Sequence, residues 1–194
     1  MHIITKSIIA YTFDELNEDA KHAVKTWLDP FNAEFVLENF KTVTGILGFY
    51  DVEPRYSGFW SQGDGASFTG SYRYVKGSTK AIREYAPQDA ELHRIADGLQ
   101  ALQKQYFYKL CASLTENYRI RYCHEHSVDI EVYNPENEYQ NIPHAEDFAQ
   151  LCRALMQWLY ARLEAEYDYQ NSDEAVSETC ASNGYEFSAD GSII

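Results

Sequence analysis

Apolar positions along the chain follow two rhythms, one helical and one alternating. Leu16, Ala20, Ala23, Val24, Trp27 and Leu28 return every three or four residues and give a helix one apolar face. TFDE at 12–15 opens it with capping-box spacing: the Thr12 hydroxyl can accept from the Glu15 amide while the Glu15 carboxylate reaches back. Asp29-Pro30 supplies a cap and a first-turn proline for a second helix. Its buried stripe is Val36, Phe40, Val43 and Leu47, and Gly48 stops it. A third helix starts near Pro87 and aligns Leu92, Ile95, Leu99, Leu102 and Tyr106. The clearest helical pattern covers about 145–167, with Phe148, Leu151, Cys152, Leu155 and Leu159 inward, and NSDE caps a short fifth helix reaching about 182.

Alternation marks the strands. HIITKSIIA at 2–10 reads as one, and two more are expected at about 49–58 and 66–75. In the latter, Ala66, Phe68, Gly70, Tyr72 and Tyr74 face one side, and Ser67, Thr69, Ser71 and Arg73 the other. YFYKLCASL can extend the third helix or begin a strand. A strand at about 108–115 is preferred, turning at TENY into another at 119–133. NPENEYQNIPH is a polar, proline-bounded loop, and NGYEFSADGSII closes the chain as a strand or hairpin with turn signals at Asn183-Gly184 and Asp190-Gly191. Helices and strands mix without regular βαβ alternation. The expected class is therefore α+β, a mostly antiparallel sheet packed with about five helices, in a single domain over 1–194.

Composition fits a folded globule: 45% apolar and 15% aromatic residues in 194. No run approaches the roughly 18 apolar residues of a membrane span. The opening MHIITKSIIAYTFDEL lacks a basic stretch followed by a small-residue cleavage site, so no signal peptide is expected. Cys111, Cys123, Cys152 and Cys180 are widely spaced, without C-x-x-C, and read as reduced thiols in a cytoplasm. Charge is the strongest compositional signal. The formal balance of −14 is concentrated: residues 122–194 hold fifteen Asp and Glu against Arg153 and Arg162, and no Lys or Arg follows Arg162. Such a segment repels nucleic acid and attracts basic surfaces.

Three constellations could carry chemistry. On the strand expected at 119–133, His124 and His126 share the apolar face, and H-x-H can chelate one metal ion, with His144, Glu146 or Asp147 as a third ligand. The competing explanation is a pair of core-edge histidines bonded to backbone or tyrosine hydroxyls, and this is preferred. Cys123 and His124 would point to opposite faces there and could not pair as nucleophile and base. The second is FWSQGDGASF at 59–68. Gly63 and Gly65 permit positive φ, and Asp64 and the serines can bond the turn's amides. The decapeptide reads as a stiff turn that can present Trp60, Gln62 and Asp64 to a partner. It is neither a Walker loop nor a calcium loop, and G-x-S-x-G, H-E-x-x-H and G-x-G-x-x-G are absent from the chain. The third is the acidic run Glu164, Glu166, Asp168, Asp173, Glu174 and Glu178.

YSGFWSQGDGASFTG at 56–70 and SDEAVSETCASNGYEFSADG at 172–191 are similar to a family of uncharacterised tailed-phage and prophage proteins. Those proteins share the FWSQGDGASF-like loop and an acidic tail ending in YEF..DG. The resemblance implies a phage origin, a bacterial cytoplasm and Phe59–Phe68 as the signature segment. Duplex DNA carries one charge per about 1.7 Å, so thirteen net charges match roughly 20 Å of it. The favoured expectation is a non-enzymatic, anti-CRISPR-like inhibitor without cofactor, binding the basic groove of a host nucleic-acid-handling complex and not nucleic acid or membrane. An antitoxin for a basic toxin and a small metal-dependent hydrolase built on His124 and His126 are the alternatives.

Overall fold

The computed structural model describes residues 7–136 and 142–194. Among these residues, six α-helices and a four-stranded antiparallel sheet give the expected α+β class. They divide into two compact units: Glu34–Glu164, and the chain up to Ala33 together with Ala165–Ile194.

The sheet unit begins with α1 excluded: its first helix is α2 (Glu34–Leu47), whereas α1 (Glu18–Leu28) belongs to the other unit. Asp29 ends α1 in the left-handed region at φ 41°, so Asp29-Pro30 closes the first helix and does not open the second. The stripe Val36, Phe40, Val43 and Leu47 is buried as its spacing predicts. Gly48 then turns the chain at φ 106°, where a Cβ would meet the Arg73 carbonyl at 2.2 Å. The strands β1 (Phe49–Tyr56), β2 (Ala66–Arg73), β3 (Cys111–Glu116) and β4 (Val128–Tyr133) lie in chain order as a meander. Between β2 and β3 stand α3 (Ser78–Tyr85) and α4 (Ala90–Gln105). The sequence pattern omits α3 because that helix buries one large apolar side chain, Ile82.

One face of the sheet is the core. Phe49, Phe68 and Tyr72 pack with Phe40 of α2 and with Phe148 of α5 (Ala145–Gln170), ring centroids standing 4.8–5.3 Å apart. Ala112 and Leu114 are buried as well. The opposite face carries Ser67, Thr69, Ser71 and Arg73 of β2, with Ser71 opposite Ser113 and Arg73 opposite Cys111. Buried Gln103 ties α4 to the sheet entry, its side chain donating to the Leu110 carbonyl (2.8 Å) and accepting from the Leu110 amide (3.2 Å).

Two strand expectations need correction. β3 starts at Cys111, because Phe107 and Tyr108 adopt φ of 53° and 64°, outside the strand region. The strand expected at 119–133 keeps only Val128–Tyr133. Residues 117–127 form an irregular loop that bonds to itself: Asn117 Oδ1 accepts from the Arg119 amide (3.0 Å), and the Ser127 hydroxyl donates to the His124 carbonyl (2.7 Å).

The second unit has its own small core of Phe13, Leu16, Ala20, Val24, Val176, Cys180 and Phe187. The Glu15 carboxylate reaches back to accept from the Thr12 amide (2.8 Å) as expected of TFDE, but the Thr12 hydroxyl donates to that carboxylate (2.9 Å) and the Glu15 amide donates to the Thr12 carbonyl (3.2 Å). A 3-10 turn, Phe13–Glu15, follows at once, and Asn17 caps α1. Ser172 caps α6 (Asp173–Asn183), and Gly184 ends it at φ 66°, so Asn183-Gly184 is a helix terminus and not a hairpin turn. Of the strand expected at 2–10, residues 2–6 lie outside the described residues and 7–10 form no strand; Tyr11 instead makes an isolated bridge to Phe187. No helix among the described residues is long and apolar enough to cross a membrane.

Candidate functional site

FWSQGDGASF connects β1 to β2. One Asp64 carboxylate oxygen accepts from the Trp60 amide (3.0 Å) and the Ser61 amide (2.7 Å), which closes the turn as the sequence suggests. Ser57 and Gly65 bond across the loop's base: the Ser57 amide donates to the Gly65 carbonyl (3.1 Å), and the Gly65 amide donates to the Ser57 hydroxyl (3.1 Å). Phe59 lies stacked between Tyr56 and Tyr160. What the loop leaves at its surface is Trp60, 79% exposed, with the exposed Ser61 and Gln62.

Gly63 takes the expected positive φ (97°) whereas Gly65 does not, and both allow close approach to the 117–127 loop. A Cβ on Gly65 would stand 2.7 Å from the His124 Cβ and 2.9 Å from its Cα. One on Gly63 would stand 3.0 Å from the Tyr122 ring. Ser57 donates to the Cys123 carbonyl (3.2 Å), and the Ser67 hydroxyl meets the Cys123 thiol (3.4 Å). The signature loop therefore braces residues 122–124. Glu125 holds the same loop to α5 by accepting from Gln157 (3.1 Å). Burial would raise the Glu125 carboxyl, but the Gln157 hydrogen bond, its own backbone amide and the neighbouring His126 and His124 outweigh it and keep the group below the usual carboxylate range.

Beneath the braced segment is a cavity of about 220 Å³. Ile120, Tyr122 and Val128 give it apolar walls, Ser67, Thr69 and Ser127 give it hydroxyls, and Arg121 stands at its edge. Arg55 and Glu116 also line it and neutralise each other at 2.5 Å.

His124 and His126 do not share a strand face, since neither lies in a strand. The His124 Nδ1 accepts from the His126 amide at 3.0 Å, and the two rings stand 5.8 Å apart. His144 pairs with Asp147 at 2.8 Å and Glu146 with Arg153 at 2.7 Å. Among the described residues no three His, Cys, Asp or Glu side chains are placed to hold a metal ion.

The acidic candidates are regrouped by the fold. Glu164 belongs to the sheet unit, as do six further acids of the final third among the described residues: Glu125, Asp129, Glu131, Glu136, Glu146 and Asp147. Glu166, Asp168, Asp173, Glu174 and Glu178 fall in the other unit, where Asp14, Glu15, Glu18, Asp19 and Asp29 join them from the start of the chain. With Glu186 and Asp190 these make, among the described residues, twelve acids against Lys21 and Lys25. Asp173 is paired, accepting from Lys25 at 2.6 Å and Lys21 at 2.9 Å. The Lys25 and Lys21 hydrogen bonds hold its carboxyl below the usual range. A cleft of about 530 Å³ in this unit is lined by Tyr169, Gln170, Glu178, Thr179 and Asn183, among others. The sequence reading missed Arg55, Ser67, Thr69, Arg121 and Ser127 as a set, and the polar alternation of Ser67 and Thr69 beside a glycine-rich turn was the available signal.

No curated protein and no solved structure matches the chain. One family model does, over residues 32–173, a span that takes in the whole sheet unit with the braced loop and its cavity. The chain belongs to that family, described as a domain of unknown function (DUF8835).

Proposed function

We propose that the chain is a non-enzymatic binding protein whose acidic unit engages a basic surface on a protein partner. The sequence resemblance implies a phage product in a bacterial cytoplasm, and the acidity extends that setting to inhibition of a host nucleic-acid-handling defence complex, in the manner of an anti-CRISPR. One observation carries the reading. Among the described residues, twelve acids, all exposed except the half-buried Glu166, belong to one compact unit whose lysines Lys21 and Lys25 are both occupied by Asp173. In the sheet unit, by contrast, Arg55, Arg83, Arg94, Arg153 and Arg162 each sit in a local ion pair. A field of one sign speeds encounter with a basic groove and fades over a Debye length of about 8 Å at physiological salt.

The test is capture of partners from bacterial lysate at low salt, followed by binding of the captured protein over a salt series. Affinity should fall by about tenfold or more between about 50 and 300 mM salt, and a Glu166→Gln, Asp168→Asn, Glu174→Gln, Glu178→Gln variant should associate more slowly with little change in dissociation. Salt-independent affinity refutes the mechanism. A basic toxin as the captured protein would move the partner to the antitoxin class while keeping the same acidic surface.

A further inference from the structure

We propose that the cavity under the signature loop is a binding site for a small organic carboxylate with an apolar body. At the packing density of protein interiors, 220 Å³ has room for roughly a dozen non-hydrogen atoms. Its lining is two-sided. Ile120, Val128 and the Tyr122 ring offer apolar contact, while Ser67 and Thr69 offer hydroxyl donors and the Ser127 O–H is already given to the His124 carbonyl. Arg55 and Glu116 cancel in charge, so the cavity's net charge comes from Arg121, which has no ion-pair partner among the described residues. Ser67 is only 4% exposed, and the partner its hydroxyl meets is a thiol at 3.4 Å, a weak one for a buried O–H. A carboxylate oxygen would serve it better.

The same observations exclude other ligand classes. A cation would find one carboxylate, Glu116, already engaged by Arg55. A nucleotide needs more volume and more positive charge than one free guanidinium supplies. The walls are also preset. Gly65 and Gly63 allow the signature loop to touch His124 and Tyr122, and Ser57 pins the Cys123 carbonyl. A rigid, preformed pocket loses little free energy to ordering when it fills. On this reading the signature loop acts from outside the cavity, as the part that holds its roof.

Chemical-shift titration of the full chain with 3-phenylpropionate tests the proposal, with 3-phenylpropanamide as the uncharged counterpart. The carboxylate should shift the amides of Ser67, Thr69 and residues 120–123, saturating below about 10 mM, and the amide should bind about tenfold more weakly. Arg121→Gln, an exposed substitution that should leave the melting temperature unchanged, should remove that difference. In a Cys111→Ser background, the carboxylate should slow alkylation of Cys123 and the amide should not at equal concentration. Three results overturn the proposal: no shift by either probe, equal affinity for both, or unchanged carboxylate affinity in Arg121→Gln.

Discussion

Gly65 is the residue on which the signature loop turns, and the reason is distance. Its hydrogen faces the His124 Cβ and Cα, so a methyl group there meets atoms that no rotamer change can move aside. Gly65→Ala is expected to destabilise the sheet unit by about 1–3 kcal/mol through overpacking and to loosen the 117–127 loop. Gly45→Ala is the matched control: Gly45 lies in α2 with nothing within 4 Å of its added Cβ, and alanine there should stabilise by about 0.5–1 kcal/mol. Urea unfolding of both variants separates the effects, and equal behaviour would refute the steric account. The turn itself was legible in the sequence, since Asp64 bonds the amides of its own loop as expected. The close approach was not, because a glycine needed for a φ angle and one needed for a distant neighbour read identically.

Asp89 shows how one side chain joins two helices. It caps α4 by accepting from the Leu92 amide (3.1 Å), and its other oxygen accepts from Trp158 Nε1 (2.9 Å) and Arg162 (2.6 Å) on α5. Burial alone would raise the carboxyl, but the Leu92, Trp158 and Arg162 hydrogen bonds together depress it below the usual carboxylate range. A depressed folded-state value contributes stability above the unfolded value of about 3.9, and that stability disappears as pH falls through the folded one. Asp89→Ala should therefore cost about 2–4 kcal/mol near neutrality, from a lost cap and two unpaired donors. The gap between wild type and variant should narrow below about pH 4, as wild-type Asp89 takes up its proton. Acid titration of thermal stability checks this, and a gap that persists at low pH refutes it. The two helices that Asp89 joins, α4 and α5, were visible as 3.6-residue patterns, because each buries a full stripe. β4 was over-read for a related reason: Ile120, Tyr122, His124 and His126 alternate with polar residues, but Asn117 and Ser127 satisfy the local backbone and remove its need for a strand partner.

The regrouping of charge is the largest difference between the chain read in order and the chain folded. In sequence, the acids are a feature of the final third; in the structure, Asp14, Glu15, Glu18 and Asp19 fall in one unit with the tail, and much of the final third does not. No local pattern could reveal this, since it depends on Tyr11 bridging to Phe187 and Lys21 reaching Asp173. The grouping has a thermodynamic consequence. Among the described residues, that unit is held by a core of seven buried side chains, several of them small, while an excess of ten negative charges repels itself. Its backbone amides should therefore exchange faster than those of β2 and β3, whose strands lie over the aromatic core. Raising ionic strength from about 20 to 200 mM shortens the Debye length from roughly 20 Å to under 10 Å and relieves repulsion among exposed carboxylates. Exchange in α1 and α6 should slow under that change, while exchange in β2 and β3 stays nearly constant, because their protection comes from burial. Hydrogen exchange followed by mass spectrometry at the two salt levels measures both. Faster exchange of α1 and α6 at the higher salt would mean that the Lys21 and Lys25 pairs to Asp173 outweigh the repulsion, and that the acidic unit carries less unbalanced charge than its residues suggest.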